Sequence, residues 1–262
     1  MSLDHRPRRR FSQNFLIDRG YIDQIVRAIA PRKDDRLVEI GPGLGALTEP
    51  LLGAVEKMDV IEVDRDEARL LEERFAGQAL TVHCADVLAF DLPSIGDRLR
   101  VVGNLPYHIS TPILFAVDAA WESVRDCHFM LQKEVVDRMG AAPATREYGR
   151  LSVMLQYRWE VESLFDVPPT VFRPQPKVWS SVVRMRPSQQ VRLGNFDLFR
   201  QIVEAAFSKR RKTLRNALRE IVLIEDFSAC DIDPGRRGET LAVTDFACLA
   251  NQVWQRLNSS SE

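Results

Sequence analysis

Arg36-Leu37-Val38-Glu39-Ile40, an apolar run carrying one acid, passes directly into Gly41-Pro42-Gly43-Leu44-Gly45-Ala46-Leu47-Thr48. This unit constrains the fold more than any other stretch of the chain. A short apolar run bounded by glycines reads as a parallel strand buried on both faces, and the glycine-rich stretch after it reads as a loop that opens a helix. Glycines belong in such a loop because side chains would hold a ligand away from the backbone and because the turn needs unusual dihedrals. A strand, loop and helix of this kind fit an open α/β sheet, in which ligands sit outside the carboxyl ends of the strands.

Two cofactor classes remain compatible with the loop. Gly41, Gly43 and Ala46 satisfy the permissive dinucleotide fingerprint, and Glu62 lies about 20 residues on, where a ribose-binding acid belongs. NAD therefore stays open at this point. Glu39, two residues before the first glycine, and a third glycine at Gly45 form a pattern more typical of S-adenosylmethionine sites. Lys57 to Asp64 reads as a second strand, whose Glu62 can accept from both hydroxyls of a ribose. Leu80 to Asp86 reads as a third, whose Asp86 can accept from an adenine amino group. For any single acid, a helix cap or a solvated strand end is the commoner role. Several at matching strand ends make coincidence a weak account.

Asn104-Leu105-Pro106-Tyr107 follows another strand-like run, Val101-Val102-Gly103. An exocyclic amino group such as adenine N6 is a poor nucleophile, because its lone pair is delocalised into the ring. An enzyme that alkylates it must hold the nitrogen with acceptors. Asn104 offers its amide oxygen and Leu105 its carbonyl. Pro106 fixes the turn without a competing N–H, and Tyr107 supplies a stacking face. The competing reading is an ordinary strand-ending turn, for which Asn and Pro are common residues.

The 262 residues are 45% hydrophobic and 28% charged, which suits one sizeable core with a small appendage. The four cysteines lack a repeating pair spacing. With no bilayer-length apolar run, they argue for a reduced, soluble compartment. The start, with Arg6, Arg8, Arg9 and Arg10, has no apolar segment after its charges, so it is no secretory signal, and the cytoplasm is the expected location. Zinc is not expected, because the neighbours in His83-Cys84 and in Cys127-His128 would point to opposite faces of a strand. Cys230 and Cys248 read as small buried residues or passive surface thiols.

The net charge of -1 hides two basic clusters, the N-terminal arginines and a run free of acids formed by Lys209, Arg210, Arg211, Lys212, Arg215 and Arg219. A solvated helix face is the usual meaning of such a run. In a chain this close to neutral, phosphate contact with nucleic acid is the better reading.

Helical pattern over Tyr21 to Ala30 precedes alternating strand and helix signals through Trp121, with Arg125 to Gln132 as a further buried strand. That order predicts a parallel doubly wound sheet. Gly140 to Arg150 reads as a polar flexible loop near the site, and Leu151 to Tyr157 as helix or strand. Trp159 to Val167 and Val178 to Met185 read as paired strands around a proline-stiffened loop in which Phe172 sits exposed, a candidate second stacking face. After the polar linker Pro187 to Gly194, amphipathic stretches at Phe196 to Phe207, Arg211 to Val222 and Val243 to Leu257 predict a small all-α domain. The expected division is 1–188 and 189–262.

Six segments together resemble the bacterial 16S rRNA adenine N6,N6-dimethyltransferase family. They are Phe11 to Leu16, Glu39 to Gly45, Asn104 to Tyr107, Tyr148 to Ser152, the Val167 to Ser180 loop, and Phe207 to Asn216. The resemblance spans nearly the whole chain. It implies a Rossmann-like class I methyltransferase sheet with a helical RNA-binding domain. It further implies transfer of four methyl groups from S-adenosylmethionine to N6 of two adjacent adenosines near the 3′ end of 16S rRNA, within a 30S precursor and by a monomer. Carried over by position, cofactor contacts fall on Asn14, Leu16, Gly41, Glu62, Asp86 and Asn104, to which the loop reading adds Gly43. The residues themselves put acceptor contacts on Asn104, Leu105, Pro106, Tyr107 and Phe172, and RNA contacts on Lys209, Arg210, Arg211, Lys212 and Arg215. Trp179 departs from the family, which usually has Asp there.

Overall fold

The computed structural model describes residues 14–188, 191–209 and 211–259. The N-terminal arginines and Arg210 lie outside them. The elements in chain order are β1 (Phe15–Leu16), α1 (Arg19–Ile29), β2 (Arg36–Ile40), α2 (Thr48–Leu52), β3 (Met58–Glu62), α3 (Arg65–Arg74), β4 (Leu80–Cys84), β5 (Leu99–Asn104), α4 (Ser110–Ala119), β6 (Val124–Gln132), α5 (Lys133–Met139), α6 (Arg150–Gln156), β7 (Trp159–Val167), β8 (Phe172–Arg173), β9 (Ser180–Pro187), α7 (Phe196–Ser208), α8 (Leu214–Ala217), α9 (Ile224–Ala229) and α10 (Val243–Ser259).

Seven strands form one sheet in the order β4-β3-β2-β5-β6-β9-β7. Pairing is parallel from β4 through β6, and β9 runs antiparallel to β6. The doubly wound expectation is met. The strand order reverses between β2 and β5, so a crevice opens at their carboxyl ends, where open α/β sheets bind ligands. Buried Leu37, Val38 and Ile40 fill β2, as a strand covered on both faces requires. α1 is capped by Asp18, whose side chain accepts from Tyr21 N–H, and it lays Ile25 and Ile29 on the core.

The chain divides into two compact units, Met1–Val136 with Glu162–Pro187, and Asp137–Val161 with Ser188–Glu262. The second therefore takes in more than the expected 189–262. Within it, Leu151, Val153 and Leu155 of α6 are buried, and the Tyr148 hydroxyl donates to the Leu241 carbonyl at 2.8 Å. An anchor of that kind is lost on a reading that sees only polar residues between Gly140 and Arg150.

Three further expectations are corrected. Phe172 is fully buried: β8 pairs with β1, setting Leu16 opposite Phe172, and the ring joins the core of the first unit instead of facing solvent. Arg211 to Val222 is not one amphipathic helix but a single turn, α8, whose Leu214 and Arg215 amides donate to the carbonyls of Arg236 and Pro234. Cys230 and Cys248 form a disulfide bridging α9 and α10, in place of two separate thiols.

Candidate active site

The carboxyl ends of β2, β3 and β5 close around a cavity of about 200 Å³. Gly41 and Gly43 adopt φ of 65° and 53°, which favour glycine, and Gly41 N–H donates to the Ile61 carbonyl at 3.0 Å. At Gly43 a Cβ would meet the Phe15 ring at 3.1 Å. The loop is thus bent back against the N-terminal ribbon and leaves its backbone facing the cavity.

Glu62 ends β3 as a buried acid. Its carboxylate accepts from Gly43 N–H at 3.3 Å and from Asp64 N–H at 2.9 Å. Burial, and more weakly the charge of Glu67, push its pKa up to about 7 in spite of those bonds. Glu39, within β2, is also fully buried and accepts from the Thr48 hydroxyl at 2.6 Å. Desolvation raises it to about 7 as well. Asp86 lies just past the end of β4, lines the cavity, and accepts from Leu88 N–H at 2.9 Å. Val63, Ala85 and Val87 place apolar walls beside these acids.

These residues fit an adenosine-containing cofactor. An acid at the end of β3 suits a ribose diol, an acid past β4 suits an adenine amino group, and the glycine loop leaves room for close approach.

Asn104 ends β5 and lines the same cavity. Its Nδ2 donates to the Asn14 carbonyl at 3.1 Å. That bond fixes the amide so that Oδ1 is the atom left to accept from a ligand. Leu105 N–H donates to the Met130 carbonyl, and the Pro106 carbonyl already accepts from Ile109 N–H. The Leu105 carbonyl is therefore the better second acceptor. The half-buried Tyr107 ring is held by a 2.6 Å hydrogen bond between its hydroxyl and Ser180 Oγ. Burial raises the phenol pKa.

The structure thus gathers Asn14, Leu16, Gly41, Gly43, Glu62, Asp86, Asn104, Leu105, Pro106 and Tyr107 around one cavity. Phe172 does not line it, nor does any residue from Gly140 to Arg150. Lys209, Arg211, Lys212 and Arg215 are all exposed in the second unit, on and around α8.

Sequence reasoning missed Ser180 and the tight seam at Gly103. A Cβ on Gly103 would lie 2.5 Å from the Ile40 carbonyl oxygen. The isolated glycine in a strand pattern was a readable sign of such close approach. Nothing local marks Ser180. Among the described residues no group of three or more His, Cys, Asp or Glu could hold a metal ion, and no helix is long and apolar enough to cross a membrane.

Residues 4–253 match the family model for ribosomal RNA adenine dimethylase. The ribosomal RNA small subunit methyltransferase A of Nitrosospira multiformis is 53% identical over 251 residues, covering 95% of this chain and 97% of that one. The protein of the same name from Thiobacillus denitrificans is also 53% identical, over 94% and 97% of the two chains. Among solved structures, a dimethyladenosine transferase from Plasmodium falciparum superposes with a TM-score of 0.80 at 25% identity, covering 94% of this chain and 98% of that one. The 23S rRNA methyltransferase ErmE superposes with a TM-score of 0.68 at 26% identity, over 92% and 100%. The chain that carries these strand-end acids, this glycine loop and this Asn-Leu-Pro-Tyr turn thus belongs to the ribosomal RNA adenine dimethylase family.

Proposed function

We propose that this chain dimethylates N6 of two adjacent adenosines near the 3′ end of 16S rRNA, in a cytoplasmic precursor of the small ribosomal subunit. The observation that carries the acceptor chemistry is the Asn104 amide, locked by Asn14 with its oxygen left to face a ligand in the cavity. S-adenosylmethionine, when bound, supplies a methyl group already activated by a sulfonium, so no protein nucleophile is required. The work left to the chain is positioning and exclusion of water.

Asn104 Oδ1 and the Leu105 carbonyl accept the two N6 hydrogens and aim the nitrogen lone pair. The Tyr107 ring, steadied by Ser180, stacks on the base. After one transfer a single N–H remains, so one acceptor loses its partner and the group must rotate in place. No residue need serve as a strong base, because the proton becomes acidic once the methyl has arrived. Exposed Lys209, Arg211, Lys212 and Arg215 supply phosphate contacts.

The test is methyl transfer from labelled S-adenosylmethionine to undermethylated 30S particles, followed by nucleoside analysis. N6,N6-dimethyladenosine at two adjacent 3′-terminal positions supports the reading. Label in 23S rRNA would favour the activity named for ErmE, and binding without transfer would favour a non-catalytic role. Asn104→Ala is expected to lose at least 10²-fold in turnover while RNA affinity stays within about twofold. Equal loss of affinity would remove Asn104 from the acceptor role.

A further inference from the structure

Exposed apolar side chains in the first unit gather on one edge of its sheet. Among the described residues, its large hydrophobics that face solvent are Ile17, Val63, Leu88, Val178 and Trp179. Val63 and Leu88 come just after β3 and β4, and Ile17 just after β1; Ile17 and Val63 line the methyl-transfer cavity. Val178 and Trp179 lead into β9, which runs antiparallel to β6 and sets Ser180 opposite Gln132, the last residue of β6. All five therefore stand on the carboxyl rim, where the cavity opens. Apolar surface gathered in this way marks a place of contact with something else.

Trp179 is the member of the set that the cavity does not explain. It is the most exposed of the five, at 52%, and the only aromatic, yet it does not line the cavity. Its position is nevertheless tied to the site. The Trp179 carbonyl accepts from Lys133 N–H at 2.9 Å, and the next side chain, Ser180, is hydrogen-bonded to the Tyr107 hydroxyl at 2.6 Å. The indole thus branches from the chain one residue away from the group that steadies the stacking ring. Only β6 separates β5 from β9, so the start of β9 lies two strand spacings, roughly 10 Å, from the strand that ends in Asn104. Asn104 pairs at Met130 and Ser180 at Gln132, which sets Trp179 on the solvent side of Asn104.

The loop that carries this indole is also cationic. Val167 to Ser180 holds Arg173 and Lys177, both exposed, and no acid. Asp166, just before the loop, is paired with Lys133 at 3.2 Å. An aromatic face among cations is the arrangement by which proteins hold single-stranded nucleic acid, the cations following phosphates while a base stacks on the ring. An enzyme that draws one base out of a stack leaves the next base with a bare face. A single indole between cations suits that bare face better than it suits a broad apolar protein surface.

We propose that Trp179 is a stacking platform for the nucleobase next to the adenosine held at Asn104, with Arg173 and Lys177 contacting the flanking phosphates. The proposal rests on the reading of RNA as the substrate. It adds a contact outside the cavity that holds the neighbouring nucleotide while its partner is methylated.

Trp179→Ala, Trp179→Leu and Trp179→Phe separate a stacking contact from a merely apolar one. Two quantities are measured: affinity for a fluorescently labelled single-stranded RNA containing two adjacent adenosines, and KM for undermethylated 30S particles. For a base–aromatic stack of ordinary strength, alanine is expected to weaken RNA binding and raise KM roughly 5- to 100-fold. Leucine should do nearly as badly and phenylalanine should recover most of the loss, with affinity for S-adenosylmethionine unchanged in all three. The chain has four tryptophans, and unlabelled RNA should quench a component of their fluorescence that is missing from Trp179→Phe. An alanine variant that matches the unaltered chain in both measurements would overturn the stacking role, as would leucine binding as well as phenylalanine. A rise in KM on particles with RNA affinity unchanged would overturn it too, and would assign Trp179 to a protein of the particle. An unaltered chain that neither binds nor methylates RNA would defeat the substrate reading itself, an outcome distinct from failure of the variants alone.

Discussion

Replacing Glu39 with Gln should stabilise the protein at neutral pH and leave it unchanged in acid. Glu39 is 1% exposed, and burial raises its pKa from 4.5 to about 7. The folded state therefore holds a proton that the unfolded chain releases between those values. Its favourable contribution is complete below about 4.5 and is lost as pH rises through about 7. At 1.36 kcal/mol per pKa unit, the ionised carboxylate costs about 3 kcal/mol at pH 8. Glutamine keeps the shape and an oxygen able to accept from the Thr48 hydroxyl, which now donates at 2.6 Å, but it carries no charge. Chemical denaturation of both proteins at several pH values reads the effect, because contributions from groups uncoupled to Glu39 cancel in the difference; the nearby Glu62 charge, which also raises Glu39, adds to it in the same direction. That difference should be near zero at pH 4, grow through pH 6 to 7, and level off near 3 kcal/mol by pH 8. A difference that does not change with pH, or that favours the glutamate above pH 7, would refute the assignment of a costly buried charge.

Two further substitutions probe the seam and the RNA-binding face. In Gly103→Ala the new methyl would sit 2.5 Å from the Ile40 carbonyl oxygen, so β2 and β5 must part by about 0.9 Å to restore an ordinary 3.4 Å contact. The expected cost is about 1–3 kcal/mol of stability, with a drop in turnover of up to about 10²-fold because the cofactor loop and Asn104 flank that seam. A variant with unchanged melting temperature and turnover would show that the seam yields freely. Neutralising Lys209, Arg211 and Lys212 together should flatten the plot of log affinity for RNA against log salt by about 0.7 to 0.9 for each phosphate that these side chains neutralise. An unaltered slope would take them out of the interface.

The parallel core was legible because each strand is a short apolar run ending in a chemically distinctive residue, Gly41, Glu62 or Asn104. Burial on both faces leaves few other readings for such runs. Phe172 was misread because a loop stiffened by prolines shows nothing of the two-residue pairing with Phe15–Leu16 that buries it; that partner lies far away in sequence. The single turn at Leu214 looked like a longer helix because the apolar spacing continues beyond it, while the backbone is diverted to partners at Pro234 and Arg236. The Cys230–Cys248 pairing depends on how α9 meets α10, which composition does not encode. Within the site, the charged and amide residues could be named from the sequence. The hydrogen bonds that orient them, from Asn14 to Asn104 and from Ser180 to Tyr107, needed the fold.

The division of the chain also sets an order of events during synthesis. The polypeptide passes between the two units after Val136, after Val161 and after Pro187. Everything the first unit needs has been made by Pro187. Asp137–Val161, with buried Leu151, Val153, Leu155 and Trp159, must instead wait for helices encoded later. Once β9 has emerged from the ribosome, the first unit has all of its chain, while Asp137–Val161 still lacks Ser188–Glu262. A fragment starting at residue 189 would lack those four side chains, each worth about 1.5–3 kcal/mol when buried. Growth and truncation therefore meet the same constraint: the second unit stands only when both of its separated pieces are present.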